Sequence, residues 1–156
     1  MAKKTFNQKL TDVKNLPEIV IVDDPVQISR HGGDKMLIAE PLAYDRVMRT
    51  IPFGKVTTSE HIRKYLASQS GADYTCHLTA GIFINIVAHA SIERDTDHTP
   101  YWRTLKKDGE LNPKYPGGIA VQKALLEAEG HTITQKGTRF FVANYEFALL
   151  PLLVNR

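Results

Sequence analysis

Cysteine is nearly absent, Cys76 being the only one among 156 residues. A lone thiol excludes an intrachain disulfide, and with it a fold stapled by cross-links. No apolar run approaches the ~18 residues that a membrane-spanning helix needs. The basic start Met1-Ala2-Lys3-Lys4-Thr5 is not followed by an apolar segment of signal-peptide length. A cytoplasmic protein with no membrane partner is the expectation. Net charge is also scarce, since 20 Lys and Arg against 17 Asp and Glu leave +3. That balance suits nucleic acid but falls well short of a polycationic arm. His31, His61, His89, His98 and His131 fall at none of the usual metal-ligand spacings, so no metal and no cofactor is expected. Repeats and low-complexity tracts are missing. What is present is an apolar content of 42%, enough to bury a core in one domain, or in one domain with a small appendage.

Residues 1–40 read differently from the rest. Phe6, Leu10 and Val13 at helical spacing predict a short helix from Phe6 to Asn15, Glu18 to Val22 a strand, His31-Gly32-Gly33-Asp34 a turn, and Lys35 to Ala39 a second extended segment. This is a short α/β extension or strap, and no chemistry is assigned to it. A helix follows from Pro41 to Ile51, ended by Pro52-Phe53-Gly54. Thr57 followed by Glu60 predicts a reciprocal cap on a helix running to about Ala67. Ser68 to Asp73 reads as loop, and Cys76 to Glu93 as a longer apolar helix, with Leu78, Ile82, Ile86 and Ala90 in line. Two helices joined this way fit a helix-turn-helix. Tyr101 to Leu105 predicts a strand and Lys107-Asp108-Gly109-Glu110 a hairpin turn. A helix opens after Tyr115-Pro116-Gly117-Gly118 and closes at Glu129, with Gly130 in the left-handed position. Residues 132–135 and 138–142 form a hairpin over Lys136-Gly137, and Asn144 caps a last helix from Tyr145 to Pro151. The sum is mainly α with small β hairpins, divided as an extension over 1–40 and a main domain over 41–156.

Five pieces, in order, carry a resemblance. They are Ile51 to Thr58 (Ile-Pro-Phe-Gly-Lys-Val-Thr-Thr), Ala80-Gly81, Pro100-Tyr101-Trp102-Arg103, Tyr115 to Ala120, and Leu125 to His131. Together they resemble the DNA-binding and catalytic domain of the O6-alkylguanine-DNA alkyltransferases, and more closely the noncatalytic alkyltransferase-like proteins, over residues 41–135. The resemblance implies a winged-helix-like domain of the alkyltransferase C-terminal type. Such a domain enters the minor groove of double-stranded DNA with its helix-turn-helix, flips a damaged guanine and offers it to a cysteine. Here Tyr101 stands at the cysteine and Trp102 at the histidine that activates it. A phenol near its ordinary pKa is no thiolate, and an indole accepts no proton. Glu129 matches the glutamate that orients the histidine, and is expected to lack its partner. Leu78 falls where an arginine intercalates and Ser59 where a tyrosine helps rotate the nucleotide.

From this follows the expected function, a noncatalytic DNA-binding protein that recognises alkylated guanine and flags it for DNA-repair proteins. Tyr101 and Trp102 either line the lesion pocket, stacking on an extruded base, or take opposite faces of a strand as ordinary packing. Arg103 either supports the pocket loop or is a surface arginine. Tyr115, Gly117 and Gly118 either shape the pocket wall, or meet the ordinary demands of a turn. Lys55, Arg63, Lys64, Lys106, Lys107 and Lys114 form a candidate rim of phosphate contacts, each individually no more than a solvated cation. The helix Cys76 to Ala90 has no Lys or Arg, which counts against strong phosphate binding by that element. Two alternatives stand beside this reading. One is an alkyltransferase using Cys76, which sits beside His77 at a helix start. The other is a protein-interaction module built on the uncharged helix.

Overall fold

The computed structural model describes residues 3–153. The outer ends of the two expected segments, residues 1–2 and 154–156, lie outside them. The chain folds as a mixed α/β protein, mainly helical, with six α-helices and three small sheets among the described residues. Helix α1 (Phe6–Thr11) packs along α5 (His77–Glu93), burying Leu10, and Glu93 accepts the backbone N–H groups of Phe6 and Asn7 at 2.9 and 3.0 Å. It ends four residues short of the expected Asn15, and Lys14 carries a positive φ of 47°.

Strand β1 (Glu18–Ile21) pairs antiparallel with β2 (Lys35–Ile38), and between them lies a helix over residues to which the sequence reading gave no element, followed by the expected turn at Gly32–Asp34. This is α2 (Pro25–His31), capped by the Asp24 side chain, with Pro25 in its first turn and Gly32 closing it at φ 74°. None of its residues is buried, so no apolar stripe marked it in the sequence. On its other edge β2 pairs in parallel with β4 (Tyr74–Thr75), inside the connection between α4 (Ser59–Ser70) and α5. Residues 1–40 thus share a sheet with the turn of the helix pair.

Helix α3 (Pro41–Arg49) buries Tyr44, Val47 and Met48 against α5. The cap of α4 is Thr58, whose hydroxyl accepts the His61 N–H at 3.2 Å, rather than the expected Thr57. Thr57 lies instead in β3 (Thr57–Thr58), paired in parallel with β5 (Thr104–Leu105). Helix α4 also runs three residues past Ala67, to Gly71 at φ 71°.

The expected strand from Tyr101 is a 3-10 turn, Tyr101–Arg103, and only Thr104–Leu105 is extended. Asp108 and Gly109 take the positive φ values anticipated for a tight turn, 64° and 84°, and the Lys106 N–H donates to the Glu110 carbonyl across it at 2.8 Å, but no second strand follows to pair with β5, Glu110 bridging instead to Phe141. Helix α6 (Gly118–Ala128) follows, with Gly130 at φ 94°, and then the hairpin of β6 (Ile133–Lys136) and β7 (Arg139–Val142). After Asn144, which has a left-handed backbone and makes no side-chain cap, only the 3-10 turn Tyr145–Ala148 forms in place of a helix.

Two apolar clusters result. One unites α1, α3, α4 and α5, and the other gathers Val56, Leu105, Leu111, Leu126 and Val142 against the β6–β7 hairpin. Trp102 packs against both and so joins them.

Candidate functional site

The stretch Pro100–Arg103 is fixed from both sides. Ahead of it, the buried Thr99 hydroxyl donates to Asp45 at 2.6 Å, while the Thr99 N–H donates to Ser91 at 2.8 Å. Behind it, the buried Gln122 of α6 donates to the Trp102 carbonyl at 3.1 Å and accepts the Asn112 N–H at 2.8 Å. Held this way, Tyr101 is 2% exposed and meets the rings of Trp102 and Tyr115 edge-on, at 5.4 and 5.2 Å. Its hydroxyl has no hydrogen-bond partner among the described residues, and burial pushes its pKa above the usual phenol value. Tyr115, also 2% exposed, donates to the Thr104 carbonyl at 2.9 Å, and burial raises its pKa strongly.

Glu129 does not lack partners, contrary to the expectation from sequence. The Trp102 indole N–H donates to it at 2.7 Å, the Arg103 guanidinium at 3.0 Å, and the Gly54 backbone N–H at 2.8 Å. Arg103 also donates to the Ile51 carbonyl at 2.7 Å, which ties in the Ile51–Gly54 turn. An indole cannot take over a histidine's role as base, but it can take over a donor's place, having one N–H and no acceptor. Burial favours the neutral acid at Glu129, yet Arg103, Gly54 and Trp102 together outweigh it and hold the carboxyl below its ordinary range. With side-chain exposures of 4% for Glu129 and 13% for Arg103, this is a largely buried ion pair whose polar valences are used internally. Arg103 is thus an internal tie between Glu129 and the Ile51–Gly54 turn and not a surface cation.

The open space is elsewhere. A cleft of about 310 Å³ lies between the starts of α4 and α5 and the segment from Thr104 to Tyr115. Ser59, Arg63, His77, Ala80, Gly81, Ile84 and Tyr115 line it, with Lys106, Lys107 and Lys114 at its border. From Tyr115 the packing runs inward through Tyr101 to Trp102 and Glu129; of the expected pocket residues Ser59 and Tyr115 line the cleft, while Tyr101, Trp102 and Glu129 do not and pack behind it. Gly117 and Gly118, at φ 77° and 70°, turn the chain from Tyr115 into α6, and a Cβ at Gly117 would come 2.2 Å from Val121. Neither lines the cleft.

Of the expected cationic rim, Arg63, Lys106, Lys107 and Lys114 converge on the cleft. Lys64, the next residue of α4 after Arg63, borders the neighbouring groove and pairs with Glu60 at 3.2 Å, and Lys55 faces a separate depression beside Glu129 and His131. Leu78 is 67% exposed near the start of α5, and Ile82, also exposed, follows one turn on. Cys76 precedes α5, donates its backbone N–H to Leu37 and does not line the cleft. His77 also lines the cleft, and sequence reading missed Arg30 and His31, which border the neighbouring groove. Among the described residues no cluster of His, Cys, Asp or Glu could hold a metal, and no helix is long and apolar enough to cross a membrane.

The chain matches no protein-family model and no curated protein. Solved structures similar to it include S. pombe Atl1 in complex with damaged DNA containing O6-carboxymethylguanine, at 22% identity and a TM-score of 0.53. S. pombe ATL in complex with DNA is similar too, at 21% identity and a TM-score of 0.53. Each likeness covers 71% of this chain and 94% of the other. At such identities the likeness establishes the fold.

Proposed function

We propose that this chain is a noncatalytic, alkyltransferase-like DNA-binding protein that seats duplex DNA across the α5 face and the adjoining cleft, with alkylated guanine as its lesion. The observation that carries the reading is the cleft itself. A concavity at the small end of ligand-sized pockets lies beside an exposed apolar helix edge and is bordered by Arg63, Lys106, Lys107 and Lys114, on a fold shared with proteins solved on DNA. Phosphate attraction then comes from the elements flanking α5, which compensates for its lack of Lys and Arg. Leu78 is suited to minor-groove contact, where apolar side chains wedge between base steps. An extruded base enters the Ser59–Tyr115 cleft, and the buried Tyr101 is the support behind its Tyr115 wall.

Alkyl transfer has no support at these positions. Tyr101 is a buried phenol with a raised pKa, the Trp102 N–H is committed to Glu129, and Cys76 is off the cleft lining. The protein-interaction reading is weaker, because Leu78 and Ile82 adjoin a cationic cleft instead of forming an isolated apolar surface.

Fluorescence-anisotropy titrations with matched duplexes, one carrying an O6-alkylguanine and one plain, test the proposal. Binding that weakens with salt and favours the lesion is expected, and absent or salt-independent binding to both overturns it. Intact mass after incubation with the alkylated duplex is expected to stay unchanged, and an added alkyl group would restore the enzyme reading.

A further inference from the structure

The cationic surface does not stop at the cleft. Arg63 and Lys107 also border a second, larger groove of about 800 Å³, whose other side is made by Arg30 and His31 at the end of α2. The placement of α2 is firm. The His31 ring stacks on Tyr74 of β4 with centroids 3.8 Å apart and planes 7° from parallel. The Asp73 carboxylate accepts the Lys35 N–H at 3.0 Å and lies so close to Gly33 that a Cβ there would come within 2.1 Å of it.

The charge of this groove is one-sided in what it leaves free. Its two carboxylates are engaged, Glu60 with Lys64 at 3.2 Å and Asp73 with the Lys35 N–H. Arg30, Arg63 and Lys107 have no carboxylate within 4 Å among the described residues. The fields of Arg30 and Arg63 overlap at His31: burial first, then the charges of Arg30, Arg63 and His77, push the His31 pKa below its usual value. A basic residue at the end of α2 has a local use in complementing the helix carbonyls. That use does not account for the convergence with Arg63 and Lys107 from two other elements.

Resting on the DNA-binding reading, we propose that this groove is a second backbone site, through which the phosphates flanking the cleft-bound segment pass against Arg30, Arg63 and Lys107. The N-terminal lobe then lengthens the footprint on one side of the lesion. The chemistry recognised is a run of regularly spaced phosphates, which three dispersed cations fit better than they fit a single small anion.

The test compares the full-length protein with its Arg30→Ala and Arg30→Lys variants on two duplexes, one ending at the lesion-proximal turn and one extended to either side. On the extended duplex Arg30→Ala is expected to reduce affinity about 3–10-fold and to lower the slope of log affinity against log salt by about 0.9, the value of one phosphate contact. Arg30→Lys should retain most of the slope, and the short duplex should not distinguish the variants. Because Arg30 is exposed, thermal melting should be unchanged in both. Equal slopes for wild type and Arg30→Ala on the extended duplex would overturn this inference and leave the cleft reading intact. A wild type that binds neither duplex overturns both.

Discussion

Around Glu129 each charge has its counterpart, whereas in the cleft a few residues away the cations face solvent. Arg103, Trp102 and Gly54 converge on one buried carboxylate, and Arg103 spends a further N–H on Ile51. Arg63, Lys107 and Lys114 make no ion pair among the described residues, and Lys106 reaches Glu110 only at 4.0 Å. A satisfied, desolvated network holds one geometry and has no valence left for a ligand. Exposed and unpaired cations contribute little to folding and are available to phosphates. The contrast separates support from contact within a segment that sequence alone treated as one pocket.

The largest effect should come from breaking the network. Glu129→Ala leaves Arg103 and the Trp102 N–H without their acceptor in a largely buried setting, and about 3–5 kcal/mol of stability should be lost. Urea denaturation at neutral pH measures it. The pH dependence has a fixed sign, because the folded-state pKa of Glu129 is depressed. Its contribution is complete above the unfolded carboxyl value of about 4.3 and is lost as pH falls through the folded value. Glu129→Gln should therefore be destabilised at neutral pH and should lose less stability than wild type on acidification. Equal acid dependence of the two would remove Glu129 from its central place.

Neutralising the cleft should reverse the pattern. In the double variant Lys107→Ala, Lys114→Ala, stability should change little, since both side chains are exposed. Duplex affinity should fall roughly 10–100-fold, and the salt slope by about one for each side chain that meets a phosphate. Leu78→Ala sharpens the same point without altering charge. An exposed leucine is worth little to the fold, but a wedge lost from the groove should cost several-fold in affinity with the salt slope unchanged. A change in slope would mean that the docking itself had shifted.

What the sequence made legible was local. The helices α3, α5 and α6, the β6–β7 hairpin and the left-handed Gly130 follow from apolar periodicity and turn chemistry within short windows. The parallel pairing of β3 with β5 joins segments far apart in the chain, and no local pattern announces it. Alternation around Tyr101 suggested a strand, but the contacts to Asp45, Gln122 and Glu129 prevail and wind it into a 3-10 turn. At the site, the cations were identifiable by residue type and Ser59 only through the resemblance, while the division into support and contact was not. One signal was available at Trp102, for a tryptophan beside a matched glutamate can still donate a hydrogen bond even where a base is lost. Arg30 was hidden by its helix, which buries no residue.

The smallest effect is expected at Tyr101, the residue that the sequence resemblance sets at a transferase's cysteine. Tyr101 is almost wholly buried, its hydroxyl unpartnered and its ring packed against Trp102 and Tyr115. If the ring is support, Tyr101→Phe keeps the packing and removes a buried hydroxyl that has no hydrogen-bond partner among the described residues. Stability should stay level or rise by up to about 1 kcal/mol, and DNA affinity should be unchanged. If instead the hydroxyl reaches a bound base, affinity for the lesion duplex should fall while that for plain DNA holds. Parallel melting and anisotropy measurements on this one variant therefore decide on which side of the Tyr115 wall recognition occurs.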